Sequence, residues 1–416
     1  MNLTDEIVHD CRRQFMALER FIAGRPAAFF DGPAGTQVPN SVISAMASYL
    51  GKRNCNHGGL FATGRESDQL LEHAHVVAAD FLGADDPHCV YFGQNMTSLT
   101  FALSRALAKT WKPNDEIVVT MLDHDANFTP WVMAAHDAGV NVRRVRFNPR
   151  DCTLDLNELR SHLNERTRLV AVGCASNAVG TINPVKQIGR WAHEVGALVF
   201  LDAVHYAPHG LIDVAAWDCD FLACSAYKFF GPHVGLMWGR RRLLEELEAY
   251  KVRPAPNDLP GKWMTGTQSH ESIVGAAAAM DYLIGLGRRL AGDPLLPRRK
   301  SLQIIYEAIG RYERTLVQRL IAGLMQNEEV RIHGITDPAR AEERVSTIAF
   351  THARFTSEQL AEHLGRQGFF TWHGNYYALN LVEQLGFEEQ GMLRVGLVHY
   401  NTAEEVDAFV AAVNAL

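Results

Sequence analysis

The chain has 416 residues, of which 47% are hydrophobic and 21% charged, and its formal net charge is -7. This length exceeds one ordinary hydrophobic core and predicts a large domain with a smaller one, while the composition excludes a disordered chain. The negative net charge gives no indication of a basic surface, so we expect no nucleic-acid partner.

The sequence also argues against a membrane and against an oxidising compartment. No apolar run approaches the ~20 residues that span a bilayer, and the N-terminus lacks the apolar stretch of a signal peptide. The seven cysteines form no CxxC pair, and all of them lie within the first 224 residues. We therefore expect a cytoplasmic protein with reduced thiols, no membrane partner and no metal site.

From about residue 66 to residue 240, short apolar runs alternate with stretches of helical period. Such runs are typical of strands buried on both faces, and their alternation with helices predicts a doubly wound, mostly parallel sheet. In that architecture a ligand binds outside the carboxyl ends of the strands. The predicted strands cover residues 88–93, 116–122, 141–147, 167–176, 197–204, 221–227 and 235–239, and the predicted helices cover 66–82, 97–111, 130–139, 154–164 and 185–195.

Beyond residue 240 the pattern changes to longer helical stretches followed by a few strand-like runs, which predicts a smaller α+β domain. The break falls near the sequence GDPLLP at 292–297. We predict an N-terminal arm over residues 1–30 that packs with the small domain, a large ligand-binding domain over 31–295 and the small domain over 296–416.

Polar side chains follow five of the predicted strands, at the edge where a ligand would bind. A lysine and an aspartate among them suit pyridoxal 5′-phosphate (PLP). The cofactor's aldehyde needs a partly desolvated amine for its Schiff base, which Lys228 would supply, and its ring nitrogen needs a buried carboxylate, which Asp202 would supply. The five polar segments run from Gln94 to Ser98, Asp123 to Asn127, Cys174 to Asn177, Asp202 to His205 and Ser225 to Lys228.

The remaining parts of the cofactor also have candidate partners. Its phosphate suits the N–H groups of a helix start together with a hydroxyl, its ring face a flat side chain, and its 3′-oxygen a hydrogen-bond donor. Each residue alone has an ordinary structural explanation, such as a helix cap, so the prediction rests on their combination. The candidates are Asn95, Met96, Thr97 and Ser225 for the phosphate, His124 for the ring and Asn177 for the 3′-oxygen.

The segment LDAVHYAPHGLIDVAAWDCDFLACSAYKFFGP (201–232) resembles the aspartate-to-lysine core of class V aminotransferases, in the cysteine desulfurase-like branch of fold-type I PLP enzymes. The blocks SNAVGTINPV, DHDANFTPWV and MLRVGLVHYNTAEEVD are similar to other signatures of that branch, in the same order. The resemblance implies a homodimer with shared active sites, in which Thr267 reaches the neighbouring cofactor's phosphate and His57 lies on a loop near the site. It also implies that Arg394 binds the substrate carboxylate.

The chain departs from this branch at the position of its sulfur-accepting cysteine. The corresponding stretch, FFTWHGNYYALNLVEQLG, has no cysteine, and Asn375 or a neighbour stands there. Tyr227 replaces the usual histidine before the lysine, and His205 replaces the usual glutamine over the 3′-oxygen; we count both among the cofactor-binding residues. Cys55 is a weak candidate for a substitute nucleophile, because free cysteines are most often packing residues.

These residues predict an enzyme with Lys228, His124 and Asp202 as its catalytic residues. The first hypothesis is a C–S or β-eliminating lyase that acts on a small or sulfur-containing amino acid. Transamination, racemisation or epimerisation, and a PLP-binding partner protein without turnover remain as alternatives. The loop WHGNYYALNLV, with Trp372, Tyr376 and Tyr377, could form an aromatic pocket for the substrate side chain.

Overall fold

The computed structural model describes residues 2–416. The N-terminal part holds short elements, of which the first helix begins after Thr4, whose hydroxyl accepts a hydrogen bond from the Ile7 N–H. A two-stranded antiparallel ribbon and a further short strand follow it. These elements are α1 (Asp5–Arg12), β1 (Phe21–Ile22), β2 (Arg25–Pro26) and β3 (Ala28–Phe29).

A seven-stranded sheet forms the centre of residues 2–416, in the order β4-β12-β11-β10-β9-β5-β6. Its strands are parallel except β12, which runs antiparallel to both of its neighbours. A small antiparallel ribbon of β7 and β8 lies outside it. The strands are β4 (Val90–Gly93), β5 (Glu116–Thr120), β6 (Asn141–Val145), β7 (Phe147–Asn148), β8 (Thr153–Leu154), β9 (Thr167–Gly173), β10 (Leu198–Asp202), β11 (Phe221–Ser225) and β12 (Gly235–Gly239).

Helices cover both faces of this sheet because its central strands are apolar on both sides. Along β9, Val170 and Val172 pack into one hydrophobic core, whereas Leu169 and Ala171 pack into another on the opposite face. Helices α3 to α7 contact its strands, and α2 packs on α10. The helices of this part are α2 (Asn40–Lys52), α3 (Ala62–Leu82), α4 (Met96–Ala108), α5 (Thr129–Asp137), α6 (Leu156–His162), α7 (Val185–Glu194), α8 (Val214–Trp217), α9 (Arg241–Glu246) and α10 (His270–Ala291).

The C-terminal part forms a four-stranded antiparallel sheet in the order β13-β14-β17-β16, with helices against it. Its short strand β15 pairs in parallel with β3 of the N-terminal arm. The elements are α11 (Arg298–Leu324), β13 (Val330–His333), β14 (Thr347–His352), α12 (Ser357–Arg366), β15 (Phe369–Phe370), β16 (Trp372–Gly374), α13 (Leu379–Gln384), β17 (Met392–Gly396) and α14 (Ala403–Asn414).

This architecture confirms the predicted fold class, a large doubly wound sheet with a smaller α+β part. The domain boundaries at residues 30 and 295 stay predictions, although the loop between α10 and α11 spans the predicted break. Five predicted strands were too long at their carboxyl ends: β5 ends at Thr120, β6 at Val145, β9 at Gly173, β10 at Asp202 and β11 at Ser225. After β9 and β10 the chain turns away and presents polar side chains. In residues 2–416, no helix has the length and apolar character needed to cross a bilayer.

Candidate active site

A cavity of about 730 Å³ opens where the polar segments after the strands meet, and a narrower recess beneath it reaches the sheet. The register of the sheet places Asp202 of β10 beside Gly173 of β9 and Ala223 of β11. Most of the predicted site residues line the cavity or its recess. They are Asn95, Met96, Thr97, His124, Asn177, Asp202, His205, Ser225, Tyr227, Lys228 and Arg394.

Lys228 is a buried amine held by backbone oxygens. It follows β11 through one short helical turn, and its Nζ donates hydrogen bonds to the carbonyl oxygens of Pro33 and Ala34, the latter at 3.1 Å. Burial, helped by the positive charge of Arg394, lowers the pKa of Lys228 to about 7, while Asp202 opposes the shift. A large fraction of the amine is therefore unprotonated and nucleophilic near neutral pH.

Asp202 is a buried carboxylate that stays mostly ionised at neutral pH. Its Oδ1 accepts a hydrogen bond of 2.8 Å from the backbone N–H of Val204. Burial raises the pKa of Asp202 to about 6, and the Val204 hydrogen bond and the Lys228 charge limit that rise. The side chain lines the recess, where it can face a protonated ring nitrogen.

Asp123 is a site residue that the sequence reasoning did not assign, although it opens the polar segment after β5. Its Oδ1 accepts from the Gly173 N–H at 2.8 Å, and its Oδ2 accepts from Asn127 Nδ2 at 3.0 Å. Burial, together with the negative charge of Asp202, raises the pKa of Asp123 to about 8. Near pH 7, Asp123 therefore holds a proton and Asp202 carries the charge of this pair.

Replacing Asp123 by asparagine is expected to change how stability depends on pH. The folded-state pKa of about 8 lies above the ordinary value of 3.8, so folding binds a proton and the contribution of Asp123 to the free energy of unfolding falls as pH rises between these values. Asparagine does not titrate, so the stability of wild type minus that of Asp123→Asn should decrease from pH 5 to pH 8. Urea unfolding of cofactor-free protein measures this difference. Parallel pH profiles of the wild type and of Asp123→Asn would contradict the prediction.

His124 presents a neutral imidazole to the cavity. Its Nδ1 accepts a hydrogen bond of 3.0 Å from the Ala126 N–H, so the ring proton belongs on Nε2. Burial and the charges of Lys228 and Arg394 lower the pKa of His124 to about 4. The ring also stacks on Tyr377, with centroids 5.5 Å apart. A flat, uncharged ring in this place suits stacking against another aromatic ring.

The start of helix α4 forms the polar end of the recess. The Met96 N–H donates to Ser225 Oγ at 3.1 Å, which leaves the serine hydroxyl proton available to a ligand, and Asn95 caps the helix through the Ser98 N–H. Gly235 of β12 permits this approach, because a Cβ there would lie 2.5 Å from the Asn95 carbonyl carbon. Thr97 lies on the first turn and is exposed. Such a helix start with a hydroxyl beside it suits a phosphate group.

Asn177 and His205 present polar atoms that are not satisfied within residues 2–416. Asn177 Nδ2 donates to the Tyr376 carbonyl oxygen at 2.9 Å, whereas its Oδ1 has no hydrogen-bond partner there. His205 Nε2 lies 3.0 Å from Thr347 Oγ1, and its Nδ1 likewise has no partner. Burial holds the pKa of His205 well below its usual range, so this ring is neutral. Buried unsatisfied atoms at a cavity wall point to a bound polar group.

Arg394 of β17 is a buried cation without a carboxylate partner among the residues described. Its Nη1 donates to the Asn177 carbonyl oxygen at 2.9 Å, its guanidinium lies 4.3 Å from the Tyr376 ring centre, and its Nε has no hydrogen-bond partner in that part of the chain. Burial lowers its pKa to about 10, so it remains charged at neutral pH. A charged guanidinium facing a cavity in this way suits a ligand carboxylate.

Three predicted site residues lie apart from the cavity within a single chain. Thr267 is exposed in the loop before α10. His57 is exposed, and its Nδ1 lies 2.7 Å from Asp68 Oδ1. Asn375 is also exposed, and its Oδ1 accepts from the Tyr377 N–H, so it shapes the loop instead of lining the cavity. The roles assigned to these residues stay predictions.

None of the cysteines in the described chain lines the cavity or its recess. Cys55 is partly exposed on the His57 loop, where its carbonyl oxygen accepts from the Tyr49 hydroxyl at 3.1 Å. Cys174 is buried beneath the site, and burial raises the pKa of its thiol well above the usual value. In residues 2–416, no group of three or more metal-ligating side chains is arranged to hold a metal ion.

The fold thus places a buried lysine and a buried carboxylate at the carboxyl ends of a mostly parallel sheet, where ligands bind in this architecture. Residues 28–291 and 300–409 match the family model described as aminotransferase class-V. The chain belongs to this family, whose members work with PLP.

Similar proteins agree with this assignment. The chain is 31% identical over 415 residues to a cysteine desulfurase of Pectobacterium atrosepticum, with 96% of this chain and 95% of that protein covered. It is 32% identical over 422 residues to an aminotransferase-like protein of Gibberella zeae, with 97% of each covered. The apo structure of a cysteine desulfurase from Thermococcus onnurineus shares the fold, with a TM-score of 0.86, 24% identity and coverage of 98% and 97%. The predicted family, its cysteine desulfurase-like branch and the enzyme assignment are confirmed.

Proposed function

We propose that the chain binds PLP and cleaves the C–S bond of a small or sulfur-containing amino acid by β-elimination. The residues present fit the cofactor: an amine with a lowered pKa, a buried carboxylate, and a helix start with a hydroxyl beside it. The unsatisfied atoms of Asn177 and His205 add partners for a polar substituent of the ring.

Four side chains of the cavity and its recess have roles in such a reaction. When bound, PLP withdraws electrons from the substrate Cα and so weakens its bonds. Asp202 keeps a ring nitrogen protonated through its negative charge, and Arg394 fixes the substrate carboxylate. Lys228, whose pKa is about 7, takes the Cα proton as a general base. His124 covers one side of the recess and excludes water there.

The observation that carries the lyase proposal is the lack of a thiol lining the cavity of the described chain. Transfer of sulfur to the protein as a persulfide needs a thiolate near the sulfur atom. Cys174 is unsuited because it is buried with a raised pKa, and Cys55 does not line the cavity of its own chain. Sulfur therefore leaves as a thiol or as sulfide.

The holoenzyme incubated with L-cysteine tests this function through its products. We expect pyruvate, ammonia and sulfide in equal amounts, and the same result for Cys55→Ser. Alanine together with a protein persulfide, or with sulfide once a thiol reductant is added, would mean desulfuration instead, and loss of that activity in Cys55→Ser would identify Cys55 as the acceptor.

Transamination is the second candidate, since a relative that is 32% identical is named an aminotransferase-like protein. It needs no leaving group and no thiol, only a proton returned to another carbon. Formation of a keto acid that still carries the substrate's side chain, dependent on an added amino-group acceptor, would establish this reaction in place of elimination.

We also infer a cytoplasmic two-fold dimer with shared active sites. Thr267 and His57 are exposed and lie apart from the cavity of their own chain, so they are free to approach a second copy. Sedimentation velocity should give a species near twice the chain mass of 46.3 kDa. A monomer that is fully active would contradict the dimer.

A further inference from the structure

Aromatic rings line the mouth of the cavity above Lys228. Phe101 comes from α4, Trp372 from β16, and Tyr376 and Tyr377 from the loop that follows β16. Trp372 is 50% exposed and Tyr377 is 72% exposed, which is unusual for rings of this size. Exposed aromatic surface at the entrance of a cavity is a favourable contact for an apolar ligand group.

The loop that carries these tyrosines is fixed in place. Tyr376 and Tyr377 both have left-handed backbones, with φ of 55° and 57°, a conformation that residues with a side chain keep only where the surrounding structure holds them. Their carbonyl oxygens accept hydrogen bonds from Asn177 Nδ2 at 2.9 Å and from the Asp125 N–H at 2.7 Å. With the stacking of Tyr377 on His124, these bonds hold the rings at set positions relative to the cavity.

The polar ends of an amino acid already have partners deeper in the cavity. Arg394 suits its carboxylate and Lys228 its amino end, so the side chain is left to the remaining walls. Two titratable groups on those walls already contact neighbours: Asp125 Oδ1 accepts from the Thr129 hydroxyl at 2.9 Å, and the His233 ring stacks on Tyr227 with centroids 5.0 Å apart. Phe101, Trp372 and Tyr377 supply aromatic surface on the same walls.

We propose that the substrate is an α-amino acid whose sulfur carries a large apolar or aromatic group, seated among Phe101, Trp372 and Tyr377. This inference rests on the proposed C–S cleavage and names its substrate class. A leaving group of this kind needs no acceptor thiol, in agreement with the lack of a cysteine along the cavity of the described chain.

The reaction balances without a further reactant except water. Lys228 takes the proton from Cα, the Cβ–S bond breaks with its electron pair on sulfur, and the sulfur leaves as a protonated thiol. The remaining three-carbon unit takes up one water and yields pyruvate and ammonium. Nothing is oxidised or reduced overall.

Pyruvate release by the holoenzyme tests the proposal with S-benzyl-L-cysteine and S-methyl-L-cysteine. We expect kcat/KM to be at least about tenfold higher for the benzyl compound, as a buried aromatic group implies. Trp372→Ala and Phe101→Ala should each lower kcat/KM for S-benzyl-L-cysteine about tenfold and change that for S-methyl-L-cysteine less than about threefold. Tyr250→Ala, an aromatic residue 49% exposed and not among those lining the cavity, is the matched control and should change neither value.

The outcomes separate this inference from the proposed function. Pyruvate from S-methyl-L-cysteine with an equal or poorer reaction of the benzyl compound would overturn the substrate class and leave C–S cleavage standing. Equal losses on both substrates in Trp372→Ala, with an unchanged melting temperature, would also overturn it. No pyruvate from either compound would overturn the substrate class, and the absence of pyruvate from L-cysteine as well would overturn the proposed function.

Discussion

Lys228→Ala should lose the visible absorbance band of the lysine-bound cofactor and lower kcat by about 10³-fold or more. The variant removes both the amine that joins the cofactor and the base that takes the Cα proton, and general acid–base catalysis alone contributes about 10²–10⁴-fold. Spectroscopy of the purified protein and the rate of pyruvate release measure these two losses separately.

A surface lysine provides the control for this experiment. Lys300 is exposed on α11, so Lys300→Ala should keep the band and the rate. Added methylamine should restore part of the rate of Lys228→Ala if the lysine acts as a base, because a small amine can enter the space that the side chain leaves. If Lys228→Ala keeps the visible band, the lysine assignment is wrong.

Arg394→Gln should lower kcat/KM for amino acids about 100-fold, chiefly through KM, while the protein keeps its cofactor. Loss of a charge-assisted bidentate contact to a carboxylate costs about 2.7 kcal/mol of binding free energy, which corresponds to a 100-fold decrease in kcat/KM. Substrates without a carboxylate should be affected much less. Steady-state kinetics with matched acid and amine substrates make the comparison.

Arg394→Gln should also change the pH dependence of the cofactor's absorbance, which loss of a purely structural residue would not affect. The Arg394 charge contributes to the lowered pKa of Lys228, so its removal should raise the pH at which the lysine-bound cofactor changes its absorbance. Loss of cofactor binding in Arg394→Gln, with unchanged folding, would show that the residue holds the cofactor and not the substrate.

The fold and the centre of the site could be predicted because their signals are local in the sequence. Apolar runs between helical stretches indicate a doubly wound sheet, and polar residues directly after those runs meet at one edge of it. Lys228 and Asp202 were found in this way, and both line the recess. In the structure they lie close enough that the charge of each residue affects the pKa of the other.

Contacts between segments that lie far apart in the sequence could not be predicted. The carbonyl oxygens of Pro33 and Ala34 hold the Lys228 amine from almost 200 positions away, as the separations of 195 and 194 residues show. The proton on Asp123 depends on burial and on the nearby Asp202, which no motif records. Thr267 and His57 came from resemblance alone, and a single chain does not bring them to the site.

The chain segment that follows the N-terminal arm connects the surroundings of Arg394 and Lys228, the two groups proposed to bind the carboxylate and the amino end of an amino acid. The Phe30 carbonyl oxygen accepts from the Gly396 N–H at 2.9 Å, two residues beyond Arg394 on β17, and the chain then runs directly to the carbonyl oxygens that hold Lys228. The strand that carries the Arg394 guanidinium and the acceptors of the Lys228 amine are thus connected through one backbone hydrogen bond and a few peptide bonds. The positions of β17 and of the acceptors of the Lys228 amine are therefore set relative to each other by one short stretch of backbone. Gly396 permits the close approach of β17 to this segment, because a Cβ there would overlap the ring of Pro33.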